Sequence, residues 1–247
     1  MNDLDLEIAQ ATARLIAEDG LPWGAAKQRA LKDLGLPPRT RLPASELVEE
    51  ALREHLALFQ ADTQPQELRA LRQLALRWME QLAEFEPLLT GAVWRGTANR
   101  LSDLHIALYA DDPKAPEIAL LNLGETPEAG PQARDGRGRE QQNLVIWLRP
   151  PAGFAHQVAL QLAVLDPLDR RGALHADARG QTLRGDLAGL RRLLEETSTG
   201  NAAAPCSASP PCPPGPAPPK PASGPPASRA PRGASWCCKT CGAAPCW

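Results

Sequence analysis

The feature that most limits what this chain can fold into is a change of hydrophobic period at Pro87. Before it, apolar residues recur at helical spacing. Leu4, Ile8, Ala11, Leu15 and Ile16 form one stripe, and Ala25, Ala26, Ala30, Leu31 and Leu34 form a second that stops at Gly35 and Pro37-Pro38. A third helix is predicted from Ser45, a candidate N-cap, with Leu47, Val48, Ala51, Leu52, Leu56 and Phe59 on one face. A fourth starts at "TQPQ", where Thr63 and Gln66 fit a capping box, and carries Leu68, Leu71, Leu74, Ala75, Trp78, Met79 and Leu82. Trp78, Met79 and the leucines read as helix packing.

After Pro87 the period falls to two. "LLTGAVW" and "DLHIALYA" read as strands, "APEIALLNLG" as a short helix, "QQNLVIWLRP" and "HQVALQLAVLD" as longer strands, and "GDLAGLRRLLEE" as a closing helix. The polar stretch "GETPEAGPQARDGRGREQQ" reads as a long hairpin loop. The expected fold class is therefore α+β: a helical region over 1–86, then a small mixed-sheet α/β domain over 87–196.

Residues 197–247 form a third region of different character. The last 47 residues hold 13 of the 26 prolines and almost no aliphatic side chain larger than Ala, too little apolar surface to offset the entropy of ordering. A disordered tail is expected. All six cysteines lie in it, so residues 1–205 fold without disulfides, as suits a reducing compartment. "CCKTCGAAPC" places Cys237, Cys238, Cys241 and Cys246 close enough to close a zinc site on paper, but its compressed spacing and unsupported flanks favour a frameshifted or acquired sequence, or a flexible linker. A net charge of −2 gives no bias toward nucleic acid or anionic lipid, and nucleic acid is not an expected partner. No apolar run has the roughly 18 residues of a membrane span, and the acidic, amphipathic start differs from a secretory signal. A cytoplasmic protein is expected.

The chemistry concentrates in "GAVWRGTANRLSDLHIAL", residues 91 to 108. It reads as a glycine turn followed by a strand with polar groups at alternate positions. This segment resembles the signature of the polymerase-beta-type nucleotidyltransferase superfamily, in particular its small bacterial members. Those show Gly-Ser, an Arg-Gly-Thr-Ala turn and Ser-Asp-x-Asp on the next strand. Gly91, Arg95, Gly96, Thr97, Ala98, Ser102 and Asp103 fall in register. The resemblance implies nucleotide contacts at Gly91, Arg95, Gly96, Thr97 and Ser102, and a metal ligand at Asp103. Two-metal nucleotidyl transfer uses carboxylates to hold Mg²⁺, and Asp-x-Asp delivers two of them to one face of a strand.

Three positions depart from that pattern. His105 replaces the second carboxylate, Ala92 the hydroxyl of Gly-Ser, and Gln161 falls where the third carboxylate is expected. A neutral imidazole suits other metals better than Mg²⁺. The candidate catalytic set is Asp103, His105 and Asp166, the last as a substitute for the missing carboxylate at the end of its strand. Asp103 as a plain turn residue, His105 as a structural histidine and Arg95 as the partner of a surface carboxylate remain open alternatives. Asp111 and Asp112 read as a turn and N-cap, and His156 and His175 lack a ligand-spaced partner. The expected function is a nucleotide-binding or partner-binding regulatory module with a degenerate metal site. The alternatives are an active nucleotidyltransferase acting on a protein or small molecule, and a helical interaction protein docking a protein partner through its N-terminal helices.

Overall fold

The computed structural model describes residues 3–134, 140–176, 180 and 182–200. The Pro- and Cys-rich tail, with its candidate zinc ligands, lies outside the described residues. Helices α1 (Asp3–Asp19), α2 (Trp23–Asp33) and α3 (Ser45–Phe59) follow the first apolar stripes. Ala9, Ala13 and Ala17 of α1 pack on Val48, Ala51, Leu52 and Leu56 of α3, while Ile8 and Leu15 pack on Ala26, Ala30 and Leu31 of α2. Small alanines at the contact bring the helix axes close.

Two details of the sequence reading change. Ser45 is the first residue of α3 and its hydroxyl accepts from Lys27 Nζ, so the cap position falls to Ala44. Phe59, expected on the buried stripe, is 72% exposed beside an equally bare Leu58. The reason is length: Gln60 already bonds the carbonyl of Ala17 near the end of α1, which leaves no helix opposite Phe59.

Helix α4 (Gln64–Gln81) starts without the expected side-chain cap at Thr63. Its buried face, Leu68, Leu71, Leu74, Ala75, Trp78 and Met79, packs into the core of the sheet and not into the first three helices. The period change at Pro87 therefore marks where strands begin, while the sheet's hydrophobic core reaches back to residue 68.

The α/β part is a mixed sheet. Strands β1 (Leu88–Thr90), β2 (Leu104–Tyr109), β3 (Glu128–Ala129), β4 (Ala133–Arg134), β5 (Glu140–Leu148), β6 (Val158–Leu165) and β7 (Arg184–Gly185) form it. The order is β3-β5-β6-β2-β1-β7, with β4 also paired to β5. Strands β2 and β6 are parallel and the other pairs antiparallel. "LLTGAVW" is not one strand: Gly91 has φ +74 and turns the chain from β1 into the short helix α5 (Gly91–Arg95). The polar connection after α6 (Ala115–Asn122) contributes β3 and β4, both laid on β5. The closing helix α7 (Leu187–Gly200) runs four residues past the expected end at 196.

Alternation divides the sheet's faces. Leu104, Ile106 and Leu108 of β2, Leu160, Leu162 and Val164 of β6, and Leu144, Ile146 and Leu148 of β5 point into one core with α4 and Leu190 of α7. Each fully buried leucine there contributes about 1.5–3 kcal/mol. The second face carries His105, Ala107 and Tyr109, then Gln161 and Ala163, then Asn143 and Val145. A smaller cluster of Leu88, Ala107, Tyr109, Leu165 and Ala173 closes one end of it.

Close packing at the β7 edge depends on a glycine. A Cβ on Gly185 would stand inside the ring of Trp94, whose Nε1 donates to the carbonyl of Thr182 at 2.8 Å. Gly185→Ala should therefore displace Trp94 and destabilise the protein by about 1–3 kcal/mol, measured by urea unfolding. Gly124→Ala, at positive φ but with open space around it, should lose less, by strain alone.

Candidate functional site

The register of β2 against β1 and β6 builds the site. Thr90 pairs with His105, and His105 pairs with Gln161, so three polar residues from adjacent strands lie in one row across the second face. Asp103 stands two residues before His105 and continues that face just ahead of β2. Gln161 Nε2 donates to Asp103 Oδ2 at 2.9 Å, which joins two of the three positions where the sequence resemblance led to carboxylates being expected. Gly91 closes over the row, because a Cβ there would come within 3.4 Å of His105 Cδ2.

The electrostatics follow from this packing. Burial lowers the pKa of His105 below the ordinary 6.5, and the charge of Asp103 pulls it partly back. The imidazole is thus neutral at neutral pH. With Asp103, the row offers one carboxylate, one neutral imidazole, one amide donor and the Thr90 hydroxyl. Among the described residues no group of three or more His, Cys, Asp or Glu is arranged to hold a metal ion. That donor set does not fit a Mg²⁺ pair, which calls for several anionic oxygens.

Asp166 is not part of this group. The parallel register runs from Leu104 opposite Leu160 to Tyr109 opposite Leu165, so Asp166 lies at the far end of β6, roughly 20 Å along the strands from Asp103. There its Oδ1 accepts from the Leu168 amide and caps the turn Pro167–Arg170. Asp166 also lines a cavity of about 770 Å³ with Asp111, Asp169 and Glu140, away from the glycine turn. Asp112 accepts from the Lys114 amide at 3.0 Å, which makes it the turn residue expected from its place before α6.

The Arg-Gly-Thr turn faces the helices. Arg95 Nη1 donates to Glu49 Oε2 of α3 at 2.9 Å, and its guanidinium lies 5.6 Å from the ring centroid of Trp23. The carbonyl of Gly96 accepts from Gln64 Nε2 at 3.0 Å. Thr97 is 4% exposed, with a hydroxyl that has no partner among the described residues. Ser102 Oγ accepts from the Asn99 amide at 3.1 Å. Of the five expected nucleotide contacts, only Gly91 is brought against His105.

Several residues that matter here carry no local signal in the sequence. Buried Asn99 donates to the Ala17 carbonyl at 2.8 Å, across 82 residues of chain. Buried Arg72 donates to the carbonyls of Val93 and Trp94 at 3.1 and 3.3 Å, and a cation suits the exposed carbonyls at the end of α5. Desolvation lowers the Arg72 pKa, partly offset by Glu196. Arg184 of β7 pairs in register with Thr90 and donates through Nη1 to Tyr109 Oη at 2.7 Å. Long-range polar contacts of this kind have no periodicity to read.

No family model matches the chain, and no curated protein matches it. Among solved structures it is similar to the Cid1 poly(U) polymerase bound to MgGTP, with 18% identity, a TM-score of 0.27, and 43% of this chain and 34% of that chain covered. It is also similar to Cid1 in complex with the UTP analog UMPNPP, at 16% identity and a TM-score of 0.30, covering 49% and 37%. The chain spans little more than a third of the length of those structures, and a likeness at these scores carries no weight for family or activity. Chemistry at the row is therefore tested on its own residues. His105 should titrate below 6.5 by NMR, and Asp103→Asn should move the midpoint further down by removing the charge that raises it. Because the folded-state pKa is depressed, the stability linked to His105 is complete above about 6.5 and is lost as pH falls through the folded value. A midpoint at or above 6.5 would contradict the burial.

Proposed function

We propose that this chain is a nucleotidyltransferase-like protein with a degenerate metal site, acting as a nucleotide-binding or partner-binding regulatory module. One observation carries the reading: the three positions aligned with the family's carboxylates, Asp103, His105 and Gln161, come together on adjacent strands beside the Gly91 turn. Two metal ions clamping attacking and leaving oxygens need negative charge that this row lacks. Asp103 is its one carboxylate, and the Gln161 amide already donates to one of its oxygens. The donor set therefore argues against Mg²⁺-dependent transfer and leaves binding as the retained property.

In this reading Gly91 lets backbone approach the ligand, while Arg95, Gly96 and Ser102 hold the turn in place from behind. The protein-partner variant of the reading is favoured by one feature of the N-terminal helices, the adjacent exposure of Leu58 and Phe59 at the end of α3. In that case Leu58→Ser with Phe59→Ser should abolish partner capture and leave nucleotide binding intact.

The test is binding and transfer measured side by side. Calorimetry with the four NTPs should give micromolar to millimolar affinity, while labelled NTP should yield no transfer to the protein or to small acceptors in Mg²⁺ or Mn²⁺. The double change His105→Asp, Gln161→Asp should raise divalent-ion affinity well beyond either single change, since neighbouring ligands act on the same ions. No NTP binding under any condition would leave the sheet a scaffold. Robust transfer abolished by Asp103→Asn would establish the active enzyme instead.

A further inference from the structure

The second face of the sheet holds a cavity of about 330 Å³ whose lining includes Thr90, His105, Gln161, Ala163, Asn143 and Arg184. Its origin is a pair of small residues. Ala107 and Ala163 are register partners at the centre of the face, between the larger pairs His105 with Gln161 and Tyr109 with Leu165. Two methyl groups in the middle of larger neighbours leave a hollow. Pro131 forms part of the wall and is tied down by Asn143, whose Nδ2 donates to its carbonyl.

Among the described lining residues Arg184 is the one that carries a permanent charge. Among the described residues its lining holds no Asp or Glu, and the nearest carboxylate the hydrogen bonds give is Asp103, engaged by Gln161 Nε2 at 2.9 Å. Arg184 crosses from β7 to reach Tyr109 Oη, and among the described residues that phenol is its hydrogen-bond partner, with no carboxylate paired to it. A guanidinium has five N–H donors in a fixed fork, so one bond to a phenol leaves four for an oxyanion. Beyond Arg184 the polar groups are neutral: a hydroxyl, an imidazole and two primary amides. Such groups fit the hydroxyls or ring nitrogens of an uncharged body attached to an anionic head.

We propose that this hollow is a metal-independent site for a small organic phosphate monoester, with Arg184 as its charged anchor. The volume lies at the lower end of the range of small-molecule sites, which suits a monoester of sugar or nucleoside size and excludes a long polyphosphate chain. The inference rests on reading this face of the sheet as a ligand surface, and it moves the charged contact from Arg95, already engaged by Glu49, to Arg184. It requires no divalent ion, because the cation is supplied by the protein.

The full-length protein is titrated by calorimetry in EDTA with ribose 5-phosphate, adenosine monophosphate and inorganic phosphate, and separately with ATP and Mg²⁺. At least one organic monoester should bind, and more tightly than inorganic phosphate. Arg184→Met should weaken that binding at least tenfold, while Arg149→Met, at an exposed arginine outside the cavity, should not. Ala163→Leu fills the hollow without touching the charge and should abolish binding, which keeps the test decisive even where Arg184→Met fails to fold. Which monoester wins separates a sugar phosphate from a nucleotide. No monoester binding in EDTA, or binding indifferent to both Arg184→Met and Ala163→Leu, overturns the inference. ATP with Mg²⁺ bound equally by wild type and both variants, without monoester binding, overturns it while leaving the nucleotide-binding function standing.

Discussion

The parallel pairing of β2 with β6 is the constraint on which the rest of this structure depends. Six consecutive register pairs, from Leu104 with Leu160 to Tyr109 with Leu165, align two strands whose alternate residues go to opposite faces. One face is leucine, isoleucine and valine against α4 and α7, and the other receives His105, Ala107, Gln161 and Ala163. A slip by one residue would send the polar set into the core, at a cost of several buried leucines, so the apolar face fixes where the polar row must lie. The site is in this sense a by-product of core packing. The same register explains why Asp166 cannot join Asp103, since parallel strands keep their opposite ends apart.

Polar contacts tie the helical region to the turn that precedes β2. Asn99 reaches the Ala17 carbonyl, Arg95 reaches Glu49 and Trp23, and Gln64 holds the carbonyls of Gly96 and Ala98. The turn between α5 and β2 has no regular structure of its own, and buried backbone groups without partners would cost on the order of 1–3 kcal/mol each. Helices α1, α3 and α4 supply those partners. Arg95, Gly96 and Ser102 are here engaged in holding the turn, while Gly91 packs against His105. Arg72 acts in the same way on the end of α5, with a buried charge against two carbonyls.

Among the described residues no helix is long and apolar enough to cross a membrane, and the buried apolar surface is divided among separate clusters. The division has a consequence for order along the chain. Helix α4 belongs to the sheet's core, whereas α1 to α3 share smaller cores built on alanine. The described residues nevertheless fall in one compact unit, with α1 and α3 linked to α5 and the segment after it by Asn99 on the Ala17 carbonyl and Arg95 on Glu49.

What the sequence determined by itself is periodic or local. The 3.6-residue stripes specified α1 to α4, the change at Pro87 marked where strands begin, and alternation placed Asp103 and His105 on one face of β2. Periodicity is legible because each residue repeats a statement made by its neighbours. What only the tertiary structure decided is which long-range partners the polar side chains take. Thr63 looked like a cap and has no cap bond, Phe59 continued a stripe that ran out of helix to face, and "LLTGAVW" bent at Gly91 into a strand and a helix. Arg184 carried no signal, because β7 is two residues long and its place beside Thr90 comes from closing the sheet's edge after a long excursion. A guanidinium has no preferred neighbour in sequence; its role is fixed only when the strands that flank it are paired.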